Sequence, residues 1–253
     1  MDIQTAPKLP EKIEERVLMG EGLPVLFELQ LELMAEYVKV EKLPQWPINP
    51  HEPKNQVILK DFMGRVAEEL GESWEYYENM REGKITIANL SGFNEEIADV
   101  TAFLLETLIY VGVTPEELHK AIEPDKDDAL GYLYNNTNFR SRTTIPRNLH
   151  EGRDYIEAGI GRFMYTSEYS NHLAKTFWHF NYLLQMSKNV LKNKPWKVHQ
   201  VMTDENKFRN KLLTAAVEFF RMTTRELEMS PLGLVTVYYK KNRVNLFRIK
   251  SKY

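Results

Sequence analysis

Asn55-Gln56-Val57-Ile58-Leu59-Lys60-Asp61-Phe62-Met63-Gly64-Arg65-Val66-Ala67-Glu68-Glu69-Leu70-Gly71-Glu72 is the stretch whose reading decides the fold. Val57, Ile58, Phe62, Val66 and Leu70 recur at helical spacing and predict one buried face on a helix running from about Asn55 to Arg81. Glu69 and Glu72 stand three residues apart, so the same helix presents both carboxylates on one side, about one turn apart. A second acidic cluster, Glu95-Glu96-Ile97-Ala98-Asp99, repeats the arrangement. Its apolar stripe is Ile97, Val100, Leu104 and Leu108, and Glu96 and Asp99 are its paired acids. This second helix is expected to start after Ser91-Gly92, with Asn94 as its cap, and to end near Gly112.

Acidic clusters on helices are usually solvated faces. Here Glu69 and Glu96 lie beside the apolar stripes rather than opposite them, which is where ligands to a metal held between helices belong. Two such helices packed antiparallel would bring four carboxylates together, and that much negative charge calls for a hard divalent cation. Mg²⁺ is expected, two or more ions per site, with phosphate oxygens completing the shell.

The rest of the chain reads as helix after helix. A helix is predicted from about Leu23 to Val40, followed by an extended connection enforced by Pro44, Pro47, Pro50 and Pro53. Thr114-Pro115-Glu116-Glu117 opens a short helix, and long helical patterns run from about Ser167 to Lys192 and from Asp204 to Met222. The stretch from Asn135 to Gly161 is polar, with Arg140, Arg142, Arg147 and Arg153, and residues 123–166 around it are the candidate for a mobile or inserted segment. From Pro231 the β-branched Val235-Thr236-Val237 permits a small strand, but the preponderance of helical patterns favours an all-α chain.

Composition narrows the function classes. The 253 residues are 43% hydrophobic and 27% charged, ordinary for a globular protein able to bury a good core. With no cysteine, disulfides, thiolate zinc sites and cysteine nucleophiles are excluded. A net charge of -3 provides no basic footprint for nucleic acid, and no apolar run is long enough to span a membrane. A cytoplasmic protein is expected. His172 and His179 share a helix face, but such histidines are more often surface or packed residues than ligands, and Trp46 and Trp74 could stack on a base, though core or interface packing is the commoner role.

The C-terminal stretch Lys241-Asn242-Arg243-Val244-Asn245-Leu246-Phe247-Arg248 offers Lys, Asn and Arg groups suited to polyphosphate. It also resembles the late motif K-N-x-L-N-x-F-R-Q-x-x-G-Y of the all-α nucleoside triphosphate pyrophosphatases, specifically the dimeric dUTPases and the related phage dCTPase/dUTPases. Val244 replaces the motif's Leu, Ile249 its Gln and Lys252 its Gly, while Tyr253 falls on the final aromatic. The two acidic clusters are similar to that family's metal site, and Leu29-Gln30 is similar to its Leu-Gln pair beside the nucleobase.

The resemblance implies a multi-helix bundle with a four-helix metal-binding core, assembled as a homodimer. It implies hydrolysis of a deoxynucleoside triphosphate, dUTP or dCTP, to the monophosphate and pyrophosphate, in the host cytoplasm if the chain is phage-encoded. Glu69, Glu72, Glu96 and Asp99 would hold Mg²⁺, with Glu68 as a neighbour. Glu69 would also orient or deprotonate the attacking water, Lys241, Asn242, Asn245 and Arg248 would clamp the phosphates, and Gln30 would face the base. A non-catalytic helical interaction protein derived from the same family is the alternative, with Ile249 and Lys252 recording loss of the substrate lid.

Overall fold

The computed structural model describes residue 3 and residues 5–84, 86–122, 167–193 and 202–251, with the side chains of residues 167–172 excepted. The expectations placed on residues 123–166, on the His172 side chain and on Lys252 and Tyr253 lie outside them.

Among the described residues the secondary structure is helical, without strands. In chain order the helices are α1 (Glu11–Leu18), α2 (Gly22–Glu41), α3 (Pro53–Arg81), α4 (Ile87–Tyr110), α5 (Pro115–Ile122), α6 (Ser167–Lys188), α7 (Glu205–Arg221) and α8 (Pro231–Ser251). A single π-helical turn, Met222–Glu226, continues α7. No single helix among them is long and apolar enough to cross a membrane.

Local chemistry sets the boundaries. Pro53 opens α3, where its missing N–H would have been unpaired in any case. Thr86 caps α4 by accepting from the Asn89 N–H at 3.1 Å, Thr114 caps α5 by accepting from Glu117 at 3.2 Å, and Asp204 caps α7 by accepting from Lys207 at 3.0 Å. After α4 the chain turns through Gly112 at φ 72°, a left-handed conformation that favours glycine.

Two expectations about secondary structure are corrected. Ser91-Gly92 does not precede the second acidic helix but lies inside it, and Asn94 is therefore not its cap. Gly92 is small because the Tyr76 ring of α3 lies against it, where an added Cβ would fall 2.4 Å from the ring. Second, Val235-Thr236-Val237 is helical. Val235 and Val237 are buried in the shared core, and that burial outweighs their local β preference.

α3 and α4 form the most extensive pair and run antiparallel, Phe62 stacking on Tyr110 at one end with ring centroids 5.4 Å apart and Tyr76 meeting Gly92 near the other. α8 packs on both α2 and α4, and α2 also touches α4. α6 and α7 form a second pair, joined to α3 through Phe177 and Trp74, whose rings lie 5.4 Å apart. Ile97, Val100, Leu104 and Leu108 are all fully buried, as their spacing predicts. Val57 is not part of the buried stripe: it is 56% exposed, and Leu59 and Met63 are buried beside Phe62 and Val66 instead.

One polar clamp ties the C-terminal end of α4 to α5 and α7. Arg209 donates to the carbonyls of Val111 and Gly112, the latter at 2.9 Å, and holds both oxygens of Glu117, its Nε at 2.8 Å from one of them. These charge-assisted bonds satisfy carbonyls that the helix end leaves open. Arg209→Met is expected to cost about 2 kcal/mol in urea denaturation, and a loss below about 0.5 kcal/mol would show the clamp to be dispensable.

Candidate functional site

The antiparallel pairing of α3 and α4 brings both acidic clusters to one level. Ligand oxygens of Glu69, Glu72 and Glu96 all lie within 4.8 Å of one another. Glu69 and Glu96 are half-buried and Glu72 is exposed, because the apolar stripes beside them turn one edge of each helix into the interface. Glu68 is exposed and stands outside the trio.

Asp99, the fourth predicted ligand, is buried and bound differently. The Lys241 ammonium of α8 donates to Asp99 Oδ2 at 2.6 Å and to Glu95 Oε1 at 2.7 Å. Lys241 is 9% exposed, so this is an interior ion pair rather than a surface contact. Glu95 belongs to the quoted acidic cluster but was not assigned a role from sequence. Its signal is its spacing of four from Asp99, which puts both under one ammonium.

Burial and mutual repulsion hold protons on these acids. Glu96 is pushed up to about 8, first by loss of solvent, then by a hydrogen bond with Glu69 that needs Glu96 to carry the proton, then by Asp99. Desolvation likewise raises Glu69. Asp99 is raised by burial to about 6 despite the opposing pull of Lys241. These carboxylates lack sufficient positive charge nearby, which is the condition a divalent cation relieves. The spacing fits as well, since Mg²⁺ with oxygens at about 2.1 Å separates opposite ligands by roughly 4.2 Å. Glu69, Glu72 and Glu96 could close on one such ion with small side-chain rotations.

The phosphate and base residues predicted from sequence divide into two groups. Lys241 joins the carboxylates. Gln30 and Asn242 are each 1% exposed and tie α2 to α8: the Tyr238 hydroxyl donates to Gln30 Oε1, and Asn242 Nδ2 donates to the Leu29 carbonyl at 2.8 Å. Asn245 is half-buried and Arg248 exposed, two turns further along α8 than Lys241. The motif's variable position is also engaged, because Arg243 forks onto Glu32 and lies over the Tyr239 ring at 5.1 Å. α8 is thus no solvated basic tail. Tyr238, Tyr239, Val244 and Leu246 are buried in it, so removing it would dismantle the core.

His179 is an exposed surface residue whose Nδ1 lies 3.0 Å from Glu218, while Trp74 packs on Tyr77 and Phe177. Trp46 is half-buried against the core.

One acid escaped the sequence reading. Glu106 of α4 is 4% exposed, and its Oε1 has no hydrogen-bond partner among the described residues. The Tyr110 hydroxyl, one turn later, is in the same position. Burial pushes Glu106 up to about 8, the charge of Arg65 opposing and that of Glu41 adding to the shift. A lone acid in the apolar run Ala102-Phe103-Leu104-Leu105-Glu106 was the available signal.

No protein-family model, curated protein or solved structure matches this chain.

Proposed function

We propose that this chain is a Mg²⁺-dependent hydrolase that cleaves a deoxynucleoside triphosphate, dUTP or dCTP, to the monophosphate and pyrophosphate. The observation that carries the reading is the convergence of Glu69, Glu72 and Glu96 within 4.8 Å on facing helices, beside a buried Asp99–Lys241 pair. The packing of α2 and α8 against α4, and of α4 against α3, is compatible with the four-helix core that the resemblance implies, and the same resemblance implies a homodimer.

Bound at the trio, Mg²⁺ would offset the charge of phosphate oxygens and lower the pKa of a coordinated water. Glu69 would orient or deprotonate that water: it is half-buried and is the trio's innermost carboxylate on α3. Lys241 supplies a buried positive charge next to the carboxylates, and phosphate is a natural alternative partner for it. Asn245 and Arg248 extend the same helix towards solvent, where the guanidinium can fork onto phosphate oxygens. Gln30 and Asn242 support α8 through hydrogen bonds to Tyr238 and the Leu29 carbonyl, and would meet substrate only by exchanging those bonds.

The deciding experiment is a panel of deoxynucleoside and ribonucleoside triphosphates and diphosphates with Mg²⁺, scoring monophosphate and pyrophosphate. Release of both from one pyrimidine triphosphate is expected. Absence of turnover across the panel would leave the non-catalytic interaction protein as the reading. Within an active panel, Arg248→Ala should lower kcat/KM by about tenfold or more while stability stays within about 0.5 kcal/mol, since Arg248 is exposed. A kinetic change under about threefold would remove Arg248 from the phosphate clamp.

A further inference from the structure

Five acidic side chains crowd the middle of the α3–α4 interface, and among the described residues Lys241 is the one cation paired with them. Glu69, Glu72 and Glu96 form one group, while Asp99 and Glu95 form a second under the Lys241 ammonium. At 2.6 and 2.7 Å, Nζ takes one oxygen of each of these two carboxylates. The next basic residue of α8 that reaches an acid, Arg243, is committed to Glu32 on α2. Lys241 therefore has no substitute among the charged groups the structure pairs on that helix.

We propose that the Lys241 ammonium fills one of two cation positions in this site, so that the nucleotide-free protein takes a single divalent ion, at Glu69, Glu72 and Glu96. The inference rests on the metal site of the proposed function but not on its reaction. An ion sharing Asp99 through Oδ1 would sit on the same small carboxylate that holds Nζ on Oδ2 at 2.6 Å, and would meet the ammonium's charge at close range with little solvent between. At the trio the ammonium's charge is felt from further off, since Nζ is bonded to Glu95 and Asp99 instead. A triphosphate offers the ammonium alternative anionic partners, and transfer of Lys241 to phosphate would open Asp99 and Glu95 to a second ion. Ion number would then follow nucleotide occupancy.

The test is Mn²⁺ titration of the full chain without nucleotide, followed by calorimetry and by the electron paramagnetic resonance of free Mn²⁺. The parent is expected to bind one ion, and Lys241→Gln to bind a second or to bind the first about tenfold more tightly. Lys241→Arg, which keeps the charge, should retain the parent stoichiometry. Two ions on the nucleotide-free parent would overturn the proposal without recourse to any variant, as would none. So would a folded Lys241→Gln protein that titrates like the parent. Asp99→Asn gives an independent arm: the single ion should keep its affinity within about threefold, whereas an ion that used Asp99 would lose about tenfold or more. Failure of the parent to release pyrophosphate from any nucleotide would count against the hydrolase alone, because the Mn²⁺ titration reads no turnover.

Discussion

Glu69→Gln is expected to lower Mg²⁺-dependent turnover of the best nucleoside triphosphate about a hundredfold or more, while the metal-free protein stays folded and no less stable than the parent. The substitution keeps the volume of a half-buried side chain, leaves an amide oxygen to accept the hydrogen bond from Glu96, and removes one charge that Glu72 and Glu68 repel. Metal-free stability therefore has a repulsive interaction to lose rather than an attractive one. Turnover loses both an ion's ligand and the acceptor of the water's proton. Kinetics beside a thermal melt separate the two effects, and a folded variant with undiminished kcat/KM would remove Glu69 from the site.

The second large effect is on stability. Glu106 holds its proton in the folded protein up to about 8, whereas a carboxyl in the unfolded chain loses it near the ordinary value of 4.5. The folded state thus binds the proton more tightly, and Glu106 destabilises the fold progressively as pH rises from about 4.5 to 8. Glu106→Gln presents a neutral side chain of the same shape at every pH. At pH 8 it is expected to be more stable than the parent by on the order of 3 kcal/mol, with the difference shrinking to under about 1 kcal/mol at pH 5. Glu69 and Glu96 are raised in the same direction but are present in both proteins. Urea denaturation of the pair at several pH values isolates the Glu106 contribution. A difference independent of pH would show that Glu106 is not protonated in the fold.

What the sequence made legible was local. Apolar spacing placed the long helices, Thr114-Pro115 announced a real cap, and the three-residue spacing of the acids put Glu69 with Glu72 on one edge of α3. What it hid was set by partners distant in the chain. Gly92 reads as a turn in isolation and becomes a helix position only once Tyr76 lies against it. Val235 and Val237 prefer strands until α2 and α4 bury them. Lys241 resembles a phosphate ligand, and nothing in its neighbourhood of sequence says that Asp99 and Glu95 hold it. Gln30 and Asn242 are polar residues whose hydrogen bonds join two helices, so their burial could not be read from either helix alone.

The span of 146 residues between Lys241 and Glu95 also bears on the order of assembly. The α3–α4 hairpin closes over a short stretch of chain, whereas bringing α8 onto it closes a very long one, and the entropic cost of that closure falls on contacts made late. Until α8 docks, the hairpin carries its carboxylates without the ammonium that later neutralises two of them. Such a half-built protein is an acidic, partly open helical pair whose counter-charge must come from solution. Protons or dissolved divalent ions are then the nearest substitutes, and the same electrostatics that favour an ion in the finished site make early folding sensitive to the ionic composition around the chain.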